Sequence, residues 1–376
     1  MSVQRLLEGK QICICAGAGG VGKTSTSAAI AMGMAAQGLK VAVVTIDPAK
    51  RLANSLGMSE LGNEERRVDP ERFAEQGLEM RGELWAMMLD PKRTFDELIE
   101  RHADDERTRD AVLSNRIYQE LSNAVAGSQE YMAMEKLYEL HQEERYDLLV
   151  LDTPPTRNAL DFLEAPERLS RFVDSRSLKV FMRPGRLGLK VLGRGTGMLF
   201  GVLRRVTGVD LLHDLSDFFQ SFGDMAQGFR ERAARVHELL GDRRTTFLLV
   251  SSPRRDAVEE AIFFRRRLRE WDMPFGGAVV NRVHTLAVEG EEPDEGELVE
   301  LLGEELGRKV AGNLAEYEAL AALDRKNVDR LGRELGRRSP PILVPHLDDD
   351  VHDIAGLIEM NQYLFAAEAV PARASG

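Results

Sequence analysis

Eight residues constrain this chain more than any others: Gly17-Ala18-Gly19-Gly20-Val21-Gly22-Lys23-Thr24. The apolar run Ile12-Cys13-Ile14-Cys15 precedes them, and an Ala- and Met-rich segment from Ser25 to Gln37 follows. That order reads as strand, glycine loop, helix. Where glycines carry no side chain, successive backbone N–H groups can curl around phosphate oxygens. Lys23 then offers a cation to the β- and γ-phosphates, and the Thr24 hydroxyl stands where Mg²⁺ takes a ligand. The plain structural alternative is an ordinary glycine-rich βα turn. The full pattern, with a strand before it and a helix after it, points instead to a nucleoside triphosphate held by Gly17, Gly19, Gly20, Val21, Gly22, Lys23 and Thr24.

Apolar runs alternate with helical patterns along the rest of the chain, which predicts an α/β fold with a doubly wound, mostly parallel sheet of the P-loop NTPase type. The expected strands are Gln11 to Ala16, Val41 to Ile46, Leu84 to Leu89, Leu148 to Leu151, Thr246 to Ser251, Gly277 to Val280 and Ile342 to Val344. None alternates cleanly with polar residues, as expected of strands covered on both faces. Residues 91–144 and 155–240 are too long for simple crossovers and read as insertions forming a helical subdomain. The expectation is one P-loop domain over 1–365 carrying these insertions, with a flexible tail at 366–376. Glu289 to Glu300 reads as a solvated acidic loop.

The chain has 376 residues and a formal charge of −12, so binding nucleic acid would need a strongly local basic patch, and none is expected to act that way. Met1 to Gln11 has no apolar leader core, and no uninterrupted apolar run reaches the roughly 18 residues of a membrane span. The two cysteines, Cys13 and Cys15, sit at i and i+2 of one strand, where they do not normally bridge. Cytoplasmic residence fits, and no zinc site is expected.

A glycine loop needs carboxylates at neighbouring strand ends to manage Mg²⁺ and water. Asp47 ends the second expected strand, in Thr45-Ile46-Asp47-Pro48, and Asp152 ends the fourth, in Leu151-Asp152-Thr153-Pro154. Ligands of such sheets bind outside the carboxyl ends of the strands, so both should face the phosphates. Each is also a plausible turn-capping Asp. Asn281 ends the sixth expected strand; its amide offers adenine one donor and one acceptor, or serves as a turn residue.

The succession GAGGVGKTS, TIDPAKRLANSLG, LWAMMLDP, LLVLDTPPTRNALDFLEAP and AVVNRV resembles the arsenite-pump and tail-anchored-protein-targeting ATPases, an ArsA-like family of dimeric enzymes with a deviant Walker loop. The likeness runs from the loop to Asn281 and more loosely to Pro345, and is nearest to the bacterial branch without zinc cysteines. It implies an ATP hydrolase using ATP and Mg²⁺, with Lys23, Thr24 and Ser25 on phosphates and metal. Asp47 would position the attacking water, with Lys23 as the second catalytic group. Asp152 would sense the γ-phosphate and join Thr24 and Asp47 around the metal, while Asn281 and Pro345 would hold adenine. The implied partners are ATP and ADP, a second copy or a paralogue, and a hydrophobic client or membrane surface.

Three departures qualify the likeness. The family's loop carries a lysine that reaches across the dimer, and here that position is Ala18. Loss of that cation implies slow hydrolysis, or a substitute such as Arg157. Arsenite pumps bind metalloid through clustered thiolates, which this chain lacks, and the family's zinc clip is missing as well. Residues 175–209 hold eight basic and no acidic side chains among apolar ones, which suits an anionic lipid surface, a hydrophobic helix or a solvated lid. An apolar stripe from Leu215 to Leu240, and Met132 with Met134, read as either core or client groove. Two functions follow: an ATPase whose nucleotide state gates a helical surface, and a slow or non-hydrolysing switch regulating a partner complex.

Overall fold

The computed structural model describes residues 2–47, 50–103, 105–115, 118–119, 128–153, 228, 231–285, 293–336 and 339–366. Its strands are β1 Ile12–Ala16, β2 Lys40–Thr45, β3 Arg66–Arg67, β4 Glu83–Met88, β5 Leu148–Asp152, β6 Thr245–Ser251, β7 Phe275–Val283 and β8 Ile342–Pro345. The helices that matter below are α1 Lys23–Ala36, α2 Pro91–His102, α3 Glu106–Leu113, α4 Ser128–Gln142, α5 Arg255–Glu270, α6 Glu295–Leu302, α7 Glu304–Leu335 and α8 Ile354–Leu364.

One eight-stranded sheet runs in the order β3-β4-β2-β5-β1-β6-β7-β8. Every neighbouring pair is parallel except β3 with β4. The α/β doubly wound fold expected from the sequence is therefore present, and each expected strand appears within a residue or two at its start. The central strands β1, β5 and β6 are buried along their whole length, which is why their sequences are mostly apolar without polar alternation. The added strand β3 is two exposed arginines with no apolar signal. β7 extends beyond its expected end because a register irregularity between Val280 and Val283 lets it continue pairing with β8. Asn281 is thus inside β7 and does not end it.

Parallel register sets the site. Cys15 of β1 and Thr45 of β2 both lie level with Asp152 of β5. A one-residue slip would turn Asp152 to the other face, so the apolar pattern of these strands aims the carboxylate. Helix α1 follows β1 and is buried almost all round, which explains its run of Ala, Ser and Met. Helix α8 covers it: Phe365 and Asn361 press where Gly33 has no side chain.

Close packing divides the chain into two units, Met1–Met88 with Glu143–Ala159 and Gly241–Gly376, and Leu89–Gln142 with Leu160–Leu240. The second, helical unit contains α2, capped by Asp90, and α3, capped by Asp105. Its α4 buries Tyr131, Met132, Ala133 and Met134, so both methionines are core in this structure. Glu135 of α4 is buried too, accepting from the Tyr131 hydroxyl at 3.2 Å and pairing with Arg232. Ala233, Val236 and Leu240 of the apolar stripe are buried. Arg157, the basic segment 175–209 and the stripe from Leu215 to Phe229 lie outside the described residues.

The acidic loop expected at Glu289–Glu300 is corrected in its second half. Asp294 caps α6 in a reciprocal capping box with Glu297, whose N–H donates to Asp294 Oδ1 at 2.8 Å. An N-cap Asp, a Glu three residues on and the apolar Leu298-Val299 pair are helix-start signals that outweigh the acidity. Glu289–Glu292 and the tail from 367 on lie outside the described residues. No described helix is long and apolar enough to cross a membrane.

Candidate functional site

The glycine loop leaves β1 and enters α1 at Gly22, whose left-handed φ of 92° only glycine adopts without strain. A side chain at Gly17 would fall on the Val250 carbonyl oxygen of β6, and one at Gly22 would fall on the Asn281 amide. These two glycines let the loop lie flat against the strand ends, leaving the first-turn N–H groups of α1 directed outward. Such a turn favours anions by its unpaired donors and by the helix dipole. Lys23 folds back over the loop, donating to the carbonyls of Gly17 at 2.9 Å and Ala18 at 2.7 Å. Burial holds its pKa below the usual lysine range, opposed by the charges of Asp152, Glu260 and Asp47.

Asp152 is buried, and its Oδ2 accepts from the hydroxyls of Thr24 and Thr45, each at 2.8 Å. Its Oδ1 is buried with no hydrogen-bond partner among the described residues. Burial pushes this carboxyl up to about 6, against the pull of the two threonine bonds and of Lys23. Asp47 lies two residues past β2; its N–H donates to Thr45 Oγ1 at 3.2 Å and its carboxylate pairs with Arg51 at 3.6 Å. Thr153 donates to the Cys15 carbonyl at 2.8 Å, locking β5 to β1 beside the loop.

Asn281 donates from Nδ2 to the Val21 carbonyl at 3.1 Å and accepts from the Arg282 N–H at 2.9 Å. Its amide ties the loop to β7, and one donor and one acceptor stay uncommitted among the described residues. Arg282 is held at a left-handed φ of 62°, and its guanidinium pairs with Asp350 at 3.2 Å. Pro345 ends β8, and the chain beyond it is fastened by Ser25 Oγ donating to the Val351 carbonyl at 3.2 Å.

These elements enclose a cleft of about 440 Å³ whose lining includes Gly20, Gly22, Lys23, Thr24, Ser25, Asp47, Asn281 and Pro345. Asp152 lies behind Thr24, and Gly17 is set back against β6. Ala18 and Gly19 line a second cavity on the loop's other side, which Gly20 and Val21 also reach. Arg51, Thr153, Arg282 and His346 border the cleft without having been singled out from the sequence. Thr45, the last residue of β2 and two before Asp47, had a readable signal in that spacing; Arg282 and His346 had none.

A lysine-bearing glycine loop at a helix N-terminus, flanked by carboxylates at two strand ends, defines a P-loop nucleotide-binding protein. The chain belongs to the anion-transporting ATPase family, whose sequence profile matches residues 10–294. It is 32% identical over 166 residues to a protein of Halobacterium salinarum named as an arsenical pump-driving ATPase, covering 41% of this chain and 23% of that one. It is 27% identical over 131 residues to ATPase get3 of Neurospora crassa, covering 35% of each. The matches thus span about a quarter to a third of these relatives' own length.

Proposed function

We propose that this protein binds MgATP in the cleft, hydrolyses it, and uses the nucleotide state to gate a helical, partly hydrophobic surface for a client protein or a membrane partner. The observation that carries the reading is the pairing of Thr24 with Asp152 beside Lys23. The triphosphate lies on the first turn of α1, and Lys23 exchanges the Gly17 and Ala18 carbonyls for β- and γ-phosphate oxygens. Mg²⁺ fits the donors: the Thr24 hydroxyl is a hard oxygen, and Asp152 Oδ1 is a buried acceptor with no hydrogen-bond partner among the described residues. Thr24 and Asp152 would hold the ion, with Asp47 beside them, and when bound it neutralises charge on the transferring phosphoryl group. Asp47, steadied by Arg51 and Thr45, orients the water for in-line attack on the γ-phosphorus. Phosphate leaves and ADP remains. The base lies toward Pro345, where Asn281 offers adenine its uncommitted donor and acceptor.

Family membership supports hydrolysis, and both relatives are named as ATPases. The name of the first supplies a pump as partner for that protein; here the only cysteines, Cys13 and Cys15, are buried on β1 and offer arsenic no accessible thiolates. The protein works in the cytoplasm or at the membrane periphery, as a homodimer or with a paralogue. Ala18 favours a second reading, a slow nucleotide-dependent switch regulating a partner complex, because the loop lacks the cation that would stabilise the transition state from across a dimer.

Gating is tested by hydrogen exchange on the Asp47→Asn variant, comparing MgATP with ADP. Protection in residues 91–142 and 160–240 is expected to differ between the two states. Identical exchange there, with altered exchange only in the glycine loop, would refute gating and leave ATP binding intact.

A further inference from the structure

Two histidines stand side by side where the last two strands of the sheet end. Val283 of β7 is level with Pro345 of β8, so His284 and His346, the next residue of each, are neighbours. The His346 N–H donates to the Val283 carbonyl at 2.9 Å, carrying the ladder one residue past the strands. The two imidazoles stack, with centroids 5.3 Å apart and planes 22° from parallel. Asp324 of α7 is a buried carboxylate that the phosphate chemistry does not use. Its Oδ2 accepts from the His284 N–H at 2.9 Å and lies 2.7 Å from His284 Nδ1. An ionised carboxylate only accepts, so Nδ1 carries the hydrogen and the ring is held in one orientation. Tyr317, on the same face of α7 two turns earlier, meets the His284 ring edge-on at 5.5 Å. His346 itself is exposed and borders both the nucleotide cleft and the second cavity.

We propose that Asp324 is a positioning residue for the nucleotide: it fixes His284, and His284 fixes the ring of His346 as the platform on which the base stacks. Such a platform rests on the ATP reading, in which the base lies toward Pro345, the residue before His346. A carboxylate that served only to end β7 would need the His284 N–H and nothing more. Asp324 takes Nδ1 as well, and so aligns a ring whose face lies against His346. An exposed imidazole left to itself samples several rotamers, and ordering it on binding would weaken the nucleotide. Stacked on a clamped neighbour, it is ordered before the base arrives. Asn281 then meets the base at its edge and His346 at its face. The face contact adds affinity for any nucleobase, because each presents a π-surface.

Calorimetric titration with MgADP and with magnesium pyrophosphate tests it on the full chain. His346→Ala should weaken MgADP by roughly tenfold, as expected when a base loses an aromatic platform, and leave pyrophosphate unchanged. Asp324→Ala should weaken MgADP several-fold, again without effect on pyrophosphate. Asp324→Asn, whose amide oxygen can still accept from His284, should recover most of that loss. Adding Asp324→Ala to His346→Ala should cost nothing further, because Asp324 acts only through that ring. Thermal melting checks each fold, and His284→Ala makes the same test if Asp324→Ala does not fold. Unchanged MgADP affinity in His346→Ala overturns the proposal. So do additive losses in the double variant, or pyrophosphate affinity falling along with that for MgADP. A wild type that binds neither ligand refutes the ATP reading and the proposal with it, whereas the other failures leave that reading standing.

Discussion

At the phosphate end of the cleft the working side chains are short or folded back, buried, and bonded to strand ends; at the base end they are long, exposed and mounted on an irregular strand. Asp152 and Lys23 are 1% and 6% exposed, while the paired Arg282 and Asp350 side chains are 51% and 86% exposed. The difference teaches where the fold carries a cost for its site. Burial pushes the Asp152 carboxyl up and the Lys23 ammonium down, so charge at this end is held against solvation. An exposed Arg–Asp pair contributes little stability and imposes little strain of that kind. Its cost is instead local backbone conformation, the left-handed φ at Arg282.

Substitutions at the two ends should therefore differ in kind as well as in size. Lys23→Ala removes the phosphate end's main side-chain cation. The expected result is a loss of about a hundredfold or more in MgATP affinity by calorimetry. Wild-type affinity in that variant would break the comparison at its stronger end.

Asp152 should show the cost of a buried charge directly. Burial pushes its carboxyl up to about 6 in the folded chain, from 3.8 for an ordinary aspartate, so between those pH values the folded state binds more protons. Its contribution to stability without nucleotide or Mg²⁺ is complete below about pH 4 and is lost as pH rises through about 6, a change on the order of 2–3 kcal/mol. In a chelated sample Asp152→Asn should melt higher than wild type at pH 7, with the gap closing toward pH 4. A variant that melts lower at pH 7 would show that the threonine bonds outweigh desolvation.

The base end should respond more gently. Asn281→Ala removes the bond to Val21, on the order of 1 kcal/mol, and should weaken ATP several-fold. Tripolyphosphate separates its two roles: an equal loss for both ligands marks Asn281 as a brace for the loop, and a larger loss for ATP marks it as a reader of the base.

Legibility in the sequence follows the same division. The strands that carry the phosphate end are buried on both faces, so their apolar runs and the carboxylates after them stand out from the chain. Asp152 could be placed because its strand ends where the apolar run ends. Asn281 was misplaced by two residues because β7 continues through the exposed Arg282 to Val283, and no apolar period marks an irregular strand. Arg282 and His346 reach the cleft through the pairing of β7 with β8, a long-range contact that neither segment signals by itself. Asp294 erred in the other direction. Its acidic surroundings suggested a loop, while the spacing to Glu297 already encoded a helix cap.

The phosphate end makes the central claim, that this cleft hydrolyses ATP with Asp47 orienting the water. The most direct measurement is phosphate release from saturating ATP with and without Mg²⁺, on wild type and on Asp47→Asn, with nucleotide binding measured on the same samples. The expected result is Mg²⁺-dependent release by the wild type. In the variant, release should fall by about a hundredfold or more while MgATP affinity is retained. Unchanged release in Asp47→Asn, or loss of release together with loss of binding, would contradict it.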